Sequence, residues 1–342
     1  MPKTAMSNAV GRYSSETKAT NRPWVDSPFF ANLLKTALLS PEQAKMVSDF
    51  SQHGYVIIDP EIPGELLDDA VRDMTPFFRD NYEPYYSDRT RIQDGWTFLE
   101  PVRQIAIAPK ILEVLRILYQ REPVPFQTIN FRVGSEQRTH SDTVHFSSIP
   151  HGFMCGAWVA LEDVDARNGP LHYYPASQHL PIYDLHDIGV AASFQQKQYD
   201  NYGLYEDFVE ALMQAEQYDR TEIKVSRGQC LIWAANLFHG GSPIVDESRT
   251  RHTQVTHYYF EGCLYYTPLL SDPGLGRLQT RKVYDVRTKQ PVQQHYNGLP
   301  ILNPGEWPPR TEADKEPPPS TATHALDGRL ERFLRKVRNR LQ

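Results

Sequence analysis

The segment Arg138-Thr139-His140-Ser141-Asp142-Thr143 carries the most chemical information in this chain. On a β-strand, residues i and i+2 point to the same side, so a strand here aims the His140 imidazole and the Asp142 carboxylate into one space. That supplies two metal ligands from one rigid element. A second histidine would complete the two-histidine, one-carboxylate face that leaves positions open for non-haem Fe(II) oxygen chemistry. His239 is best placed to supply it, after the strand-like run Cys230–Ala235 and before Gly240-Gly241. Arg249 and Arg251 follow, ahead of the stretch Thr253–Phe260. A buried arginine beside such a centre could grip a carboxylate through two parallel hydrogen bonds. An HxD pair alone is a common surface or hydrogen-bonding feature. The ordered succession of HxD, a distant His-Gly and an arginine entering the next strand makes the metal reading specific.

The elements that must position these side chains read as strands. Candidates are Phe126–Val133, Gln137–Phe146, Phe153–Val164, Leu171–Pro175, Ile223–Val225, Cys230–Ala235 and Gln254–Phe260, with turn signals such as Asn168-Gly169-Pro170 between them. Many short strands without alternating βα units predict a mainly β fold, a sandwich or barrel of jelly-roll type. On a Gln137–Phe146 strand, His145 faces away from His140 and reads as structural. His257 shares facing with Arg251, Thr253 and Val255, and is a further candidate to line the barrel. Trp158 reads as packing; His151 and His172 could edge the pocket, but each reads more simply as a satisfied loop or sheet residue.

The first third is mostly helical. Ser40-Pro41-Glu42-Gln43 combines an N-cap, a proline at the first helical position and a capping-box glutamine. That helix runs to Gln52 and stops at His53-Gly54, ahead of a strand at Tyr55–Ile58. Further helices are expected over Glu65–Asp80 and Ile105–Gln120, the latter restarting at Pro109. An insertion over 184–217, rich in Tyr, Gln and Asp, reads as a partly helical cover. Tyr199, Tyr202 and Tyr205 could close over a substrate from it, as could Tyr82, Tyr85 and Tyr86 from the helical side.

The spacing predicts a flexible tail over 1–23, one domain over 24–302, a stiff linker over 303–320 with six prolines, and a basic amphipathic helix over 321–342. Such a helix suits an anionic membrane, a partner, or the protein's own acidic body. The 342 residues include 36 basic and 42 acidic side chains, a net charge of −6 that disfavours general nucleic-acid binding. No apolar run approaches the roughly 20 residues of a membrane span, and the first residues lack the apolar core of a secretory signal. The three scattered cysteines, Cys155, Cys230 and Cys263, fit neither a disulfide framework nor a CxxC zinc site. They fit a reducing compartment, and the expected location is cytoplasmic.

Several motifs together resemble the phytanoyl-CoA dioxygenase family of Fe(II)/2-oxoglutarate oxygenases. They are His140-Ser141-Asp142, the strand Ala157–Asp163, Asn168-Gly169-Pro170-Leu171, Pro175-Ala176-Ser177-Gln178-His179, and His239-Gly240-Gly241-Ser242 followed by arginine and Tyr258. The likeness covers residues 38 to 262. It implies a cupin-like double-stranded β-helix, another name for this jelly roll, with iron held by His140, Asp142 and His239. It also implies 2-oxoglutarate as co-substrate, its far carboxylate on an arginine, and molecular oxygen as oxidant. A small organic molecule would be hydroxylated, with release of succinate and CO2. The family's spacing from the distal histidine falls between Arg249 and Arg251, and counting back from Tyr258 selects Arg251. The serine that assists this arginine is replaced by Gly241, which leaves Ser242 as the candidate. Asn130 is the candidate for the near end of the co-substrate. Related halogenases lack the carboxylate that Asp142 provides, which favours hydroxylation. Two other readings remain open: a cupin-like isomerase or hydrolase using the same ligands with another metal, and a non-catalytic jelly-roll binding module.

Overall fold

In the computed structural model of the chain, residues 21–79, 90–194 and 199–301 are described. The expected tail before residue 21, the linker, the C-terminal helix and the tyrosines at 82, 85 and 86 lie outside them. After a short helix α1 (Phe30–Thr36), the capping box forms as its residue types dictate. Ser40 Oγ accepts from Gln43 N–H at 3.1 Å, Gln43 Oε1 accepts from Ser40 N–H at 3.0 Å, and Pro41 opens α2 (Pro41–His53). Gly54, at φ 81°, ends the helix and turns the chain into β1 (Tyr55–Ile58). Next come α3 (Gly64–Met74), β2 (Arg91–Gln93), α4 (Glu100–Ala106) and α5 (Pro109–Tyr119), with Pro109 in the first turn.

The rest of the domain is mainly strand: β3 (Pro123–Phe131), β4 (Ser147–Ile149), β5 (Met154–Ala160), β6 (Leu171–Tyr173), β7 (Thr221–Glu222), β8 (Cys230–Ala234), β9 (His239–Gly241), β10 (Thr253–Phe260) and β11 (Leu264–Tyr266). One helix, α6 (Tyr202–Ala215), stands in the insertion between β6 and β7. The large sheet runs β1-β8-β5-β10-β3-β2, and a smaller one runs β7-β6-β9. Strands β4 and β11 pair separately. Every pairing is antiparallel.

Side chains alternate across the large sheet with period two. Ala157, Val159, Cys230, Ile232 and Tyr258 join an apolar cluster with residues of α2, α3, α4 and α5. Trp158, Leu231, Trp233 and Val255 join Tyr173, Ile223 and Leu237 on the other face. Both faces are covered, so β5 and β8 read as continuous apolar runs, and β10 is buried along its whole length. The three cysteines are buried and unpaired within this packing.

Two expected strands differ. Gln137–Phe146 touches the sheets through one bridge, between His140 and His239, and then enters a 3-10 turn over Asp142–Val144. Ser141 explains the departure. Its Oγ accepts from Thr143 N–H at 3.3 Å and donates to the Ala235 carbonyl at 3.0 Å, capturing backbone groups that a ladder would need. The strand expected over Ile223–Val225 forms instead at Thr221–Glu222, while Val225 makes an isolated bridge to Val164. A register shift between His257 and Tyr258 leaves Phe126 as an extra residue on β3, beside Pro125, whose missing N–H suits a bulge.

Candidate metal centre

The backbones of His140 and His239 face each other and exchange both N–H···O=C bonds, each 2.9 Å. In such a pair the two side chains leave on the same side, and the imidazole centroids lie 4.6 Å apart. Asp142 enters from the 3-10 turn two residues on. His140 Nε2 is 3.7 Å from Asp142 Oδ1, and His239 Nε2 is 4.0 Å from the same oxygen. These separations exceed hydrogen-bonding distance and suit ligands arranged around a common centre. One ligand atom from each residue lies within 4.8 Å of the others, and all three residues are buried.

The histidine tautomers follow from the backbone. His140 Nδ1 donates to the Arg138 carbonyl and His239 Nδ1 to the Leu237 carbonyl, each at 2.9 Å. Both Nε2 atoms thereby keep the lone pair that a metal would take, His140 Nε2 facing the Gln137 amide at 3.3 Å in its place, and such backbone bonds orient histidine ligands generally. Asp142 Oδ2 accepts from Trp233 Nε1 at 2.8 Å, leaving Oδ1 toward the histidines. Burial alone would raise the Asp142 carboxyl, but His239, His257, His140 and the Trp233 hydrogen bond hold it below the usual range. Burial pushes His140 down to about 3, assisted by His239 and opposed by Asp142. A neutral His140 beside an ionised Asp142 suits a divalent ion, which needs deprotonated donors.

The centre opens into a cavity of about 760 Å³. Gln127, Ile129 and Phe131 of β3, Trp158 of β5, Trp233 of β8, and Val255 and His257 of β10 line its sheet wall. The insertion contributes Tyr199 and Tyr202 as cover, whereas Tyr205 is fully buried beneath it. Gln137 links cover to centre: its Nε2 lies 3.3 Å from both the Tyr202 hydroxyl and His140 Nε2.

The arginine candidates separate cleanly. Arg251 lines the cavity and is 1% exposed, with Nη1 donating to the Gly169 carbonyl at 2.7 Å and a buried Nε–H that finds no partner. Among the described residues no carboxylate stands within ion-pair distance, and burial lowers its guanidinium to about 10. Arg249 points outward to Asp165 at 2.8 Å. Ser242 lies off the cavity, accepting from Arg220 and donating to Glu222. Asn130 also lies off it. It sits at an even position of a strand whose odd residues line the cavity, and it pairs with Gln254 at 3.1 Å. Tyr258 faces the helices and donates to the Ala106 carbonyl. His172 is buried against Thr139 and His151 is exposed; neither lines the cavity.

His145 corrects the parity reading. Because its segment turns, its ring lines the cavity, 4.7 Å from that of Tyr202. Sequence reasoning missed Gln93, Gln127, Gln137, Trp233 and Arg281. Trp233 alone carried a signal, since it alternates with Ile232 on the strand that leads to His239.

A family model described as phytanoyl-CoA dioxygenase (PhyH) matches residues 50–253. The chain belongs to the phytanoyl-CoA dioxygenase family. Two curated relatives are the phytanoyl-CoA dioxygenase domain-containing protein 1 of Danio rerio, 31% identical over 85 residues, and that of Mus musculus, 32% identical over 83. Each match covers 23% of this chain and spans 29% and 28% of those relatives. Among solved structures, the epimerase SnoN from nogalamycin biosynthesis aligns over 77% of this chain and 96% of its own, with TM-score 0.53 and 16% identity. The carbocyclase SnoK from the same biosynthesis aligns over 75% and 95%, with TM-score 0.54 and 16% identity. EctD from S. alaskensis aligns over 72% and 84%, with TM-score 0.50 and 18% identity. The fold is therefore the double-stranded β-helix expected from the motifs. No helix among the described residues is long and apolar enough to cross a membrane.

Two expectations follow. A Cβ at Gly156 would stand 2.2 Å from the Trp233 ring, so Gly156→Ala displaces the tryptophan that holds Asp142. Metal affinity, read by calorimetric titration, should fall about tenfold or more while unfolding stays cooperative. Burial holds His257 at about 4 against an ordinary 6.5, so below the latter the unfolded chain takes protons that the folded protein refuses. The melting temperature of metal-free protein should therefore fall as pH drops from 6.5 toward 4 and stay level above that window. His257→Asn should lessen the fall without abolishing it, because burial depresses His140, His145 and His172 in the same way, and a melting series against pH would show the difference.

Proposed function

We propose that the protein is an Fe(II)/2-oxoglutarate-dependent dioxygenase that hydroxylates a small organic molecule, releasing succinate and CO2. The observation that carries this is the pairing, within one cavity, of the His140–Asp142–His239 face with a buried arginine that has no carboxylate partner among the described residues. The three ligands leave open positions on the ion, as oxygen chemistry requires. An isomerase or hydrolase with the same ligands has no need of a dicarboxylate clamp, and a binding module has no need of either. Fe(II) would be held by His140, Asp142 and His239, and would supply oxygen activation coupled to oxidative decarboxylation of the co-substrate.

The chain's own residues define the rest of the work. Arg138 and Leu237 carbonyls fix the two imidazoles, and Trp233 fixes the carboxylate. Arg251 offers its Nε edge to the far carboxylate of 2-oxoglutarate, and Trp158 and Phe131 hold the guanidinium from the sides at 5.4 and 5.9 Å. A charge-assisted pair in so dry a setting recovers part of the cost of burying the cation. Tyr199 and Tyr202 narrow the entrance and limit water at the centre. Retention of Asp142 as a ligand disfavours halogenation.

Asp142→Ala and His239→Ala should each abolish succinate formation dependent on Fe(II) and 2-oxoglutarate, with circular dichroism unchanged. Wild-type rates in either would remove that residue from the centre. Arg251→Ala should raise the 2-oxoglutarate concentration at half-maximal rate about tenfold or more, and Arg249→Ala should leave it unchanged. The opposite ranking would reassign the clamp.

A further inference from the structure

Arg281 stands beyond the last residue matched by the family model, yet its side chain lines the same cavity as the metal ligands. Its backbone is fixed at both ends of the peptide unit. The N–H donates to the Tyr265 carbonyl at 2.9 Å, and the carbonyl accepts from Gln294 Nε2. The guanidinium lies over the Phe146 ring at 4.8 Å and over Phe126 at 5.8 Å, and Nη1 donates to Thr267 Oγ1 at 2.9 Å. The buried Nε–H has no partner, and no carboxylate among the described residues forms an ion pair with this arginine. An oriented fork with one edge unused, held by aromatic rings, matches the requirement for a bidentate anion.

The charge of the cavity points the same way. Arg251 and Arg281 line it together with one carboxylate, Asp142. On the dioxygenase reading, Asp142 is committed to the metal and Arg251 to the co-substrate. The charges of a divalent ion and of 2-oxoglutarate cancel. Positive charge therefore remains beside the space left for substrate. Arg281 is partly exposed where Arg251 is sealed, which suits a ligand that must enter and leave at each turnover. The Phe146 ring is 4.8 Å from the Arg281 guanidinium and 4.8 Å from the His257 ring, so the anion would be received on the His257 side of the centre.

We propose that Arg281 anchors the substrate through an anionic group, so that the molecule oxidised here is a small carboxylic acid or phosphate ester. This rests on the dioxygenase reading and narrows it to a substrate class. The test uses the full chain loaded with Mn(II) and saturated with 2-oxoglutarate, whose uptake is first measured by calorimetry. Phenylacetate is then compared with phenylacetamide, and phenyl phosphate with phenol. At least one anion should bind about tenfold or more tightly than its neutral partner, and whichever pair shows the larger ratio distinguishes carboxylate from phosphate. Arg281→Gln should reduce that ratio to near one while leaving 2-oxoglutarate affinity unchanged, and Arg281→Lys should retain part of it. Neutral probes binding as tightly as their anions in the wild type would overturn the proposal without recourse to any variant. So would a ratio unchanged in Arg281→Gln, or a loss of 2-oxoglutarate affinity in its place. A wild type that takes up no 2-oxoglutarate overturns the dioxygenase reading itself, whereas normal uptake with no preference for anions overturns the anchor alone.

Discussion

The backbones of His140 and His239 exchange two hydrogen bonds, and the cavity's chemistry follows from that pairing. It is an isolated bridge, not a ladder, so it depends on its neighbours for precision. Strand β9 is held on its other side by β6, where Tyr173 opposes His239. The Gly240-Gly241 pair then passes so close to the metal segment that a Cβ at either position would stand 2.7 Å from its backbone, at Gln137 and Glu136. Those glycines are therefore a packing requirement. They let the two histidine-bearing segments approach closely enough for backbone geometry to set the spacing of the imidazoles.

The same logic of preorganisation governs charge. A buried carboxylate and a buried guanidinium each cost free energy unless something opposes them. For Asp142 the opposition is built from Trp233 Nε1 and the surrounding imidazoles, with room for a cation. For Arg251 it is one carbonyl and two aromatic faces, with room for an anion. Each side chain is thus oriented by the protein and left short of a full counter-charge on the side facing the cavity. Gly156 belongs to this design, since only the absence of a side chain there lets Trp233 lie across β5 to reach Asp142.

Much of this was legible in the sequence because it follows from period and spacing. The capping box at Ser40, the strand at Tyr55–Ile58 and the antiparallel β-rich body come from local residue types, and these persist when the chain packs. The convergence of His140, Asp142 and His239 was also legible, although the local reasoning failed in part. His140 and Asp142 converge through a turn and not through strand alternation, because Ser141 recruits the backbone around it. That turn brought His145 into the cavity, against the parity expectation. Asn130 and Ser242 show the converse limit. Family resemblance nominated both, but strand parity sends Asn130 to Gln254, and Ser242 lies between Arg220 and Glu222. Arg281 had no signal at all, because its place in the cavity depends on how the chain beyond β11 folds back over Phe146 and Phe126.

The insertion shows how the site couples binding to access. Arg138 immediately precedes the ligand segment, and its carbonyl orients the His140 ring. Its side chain reaches the opposite way, to Asp207 at 2.7 Å, Glu210 at 2.8 Å and Glu206 at 3.6 Å, all on α6. Partly exposed ion pairs of this kind contribute little to overall stability, so their value here is geometric. Helix α6 also carries Tyr202, whose hydroxyl meets the Gln137 amide next to His140 Nε2. The cover is therefore fastened to the four residues that present the first ligand. A displacement of α6 acts on Arg138 and Gln137, and through them on the carbonyl and the amide that flank the His140 ring. The insertion between β6 and β7 is thus bound to the segment that presents His140.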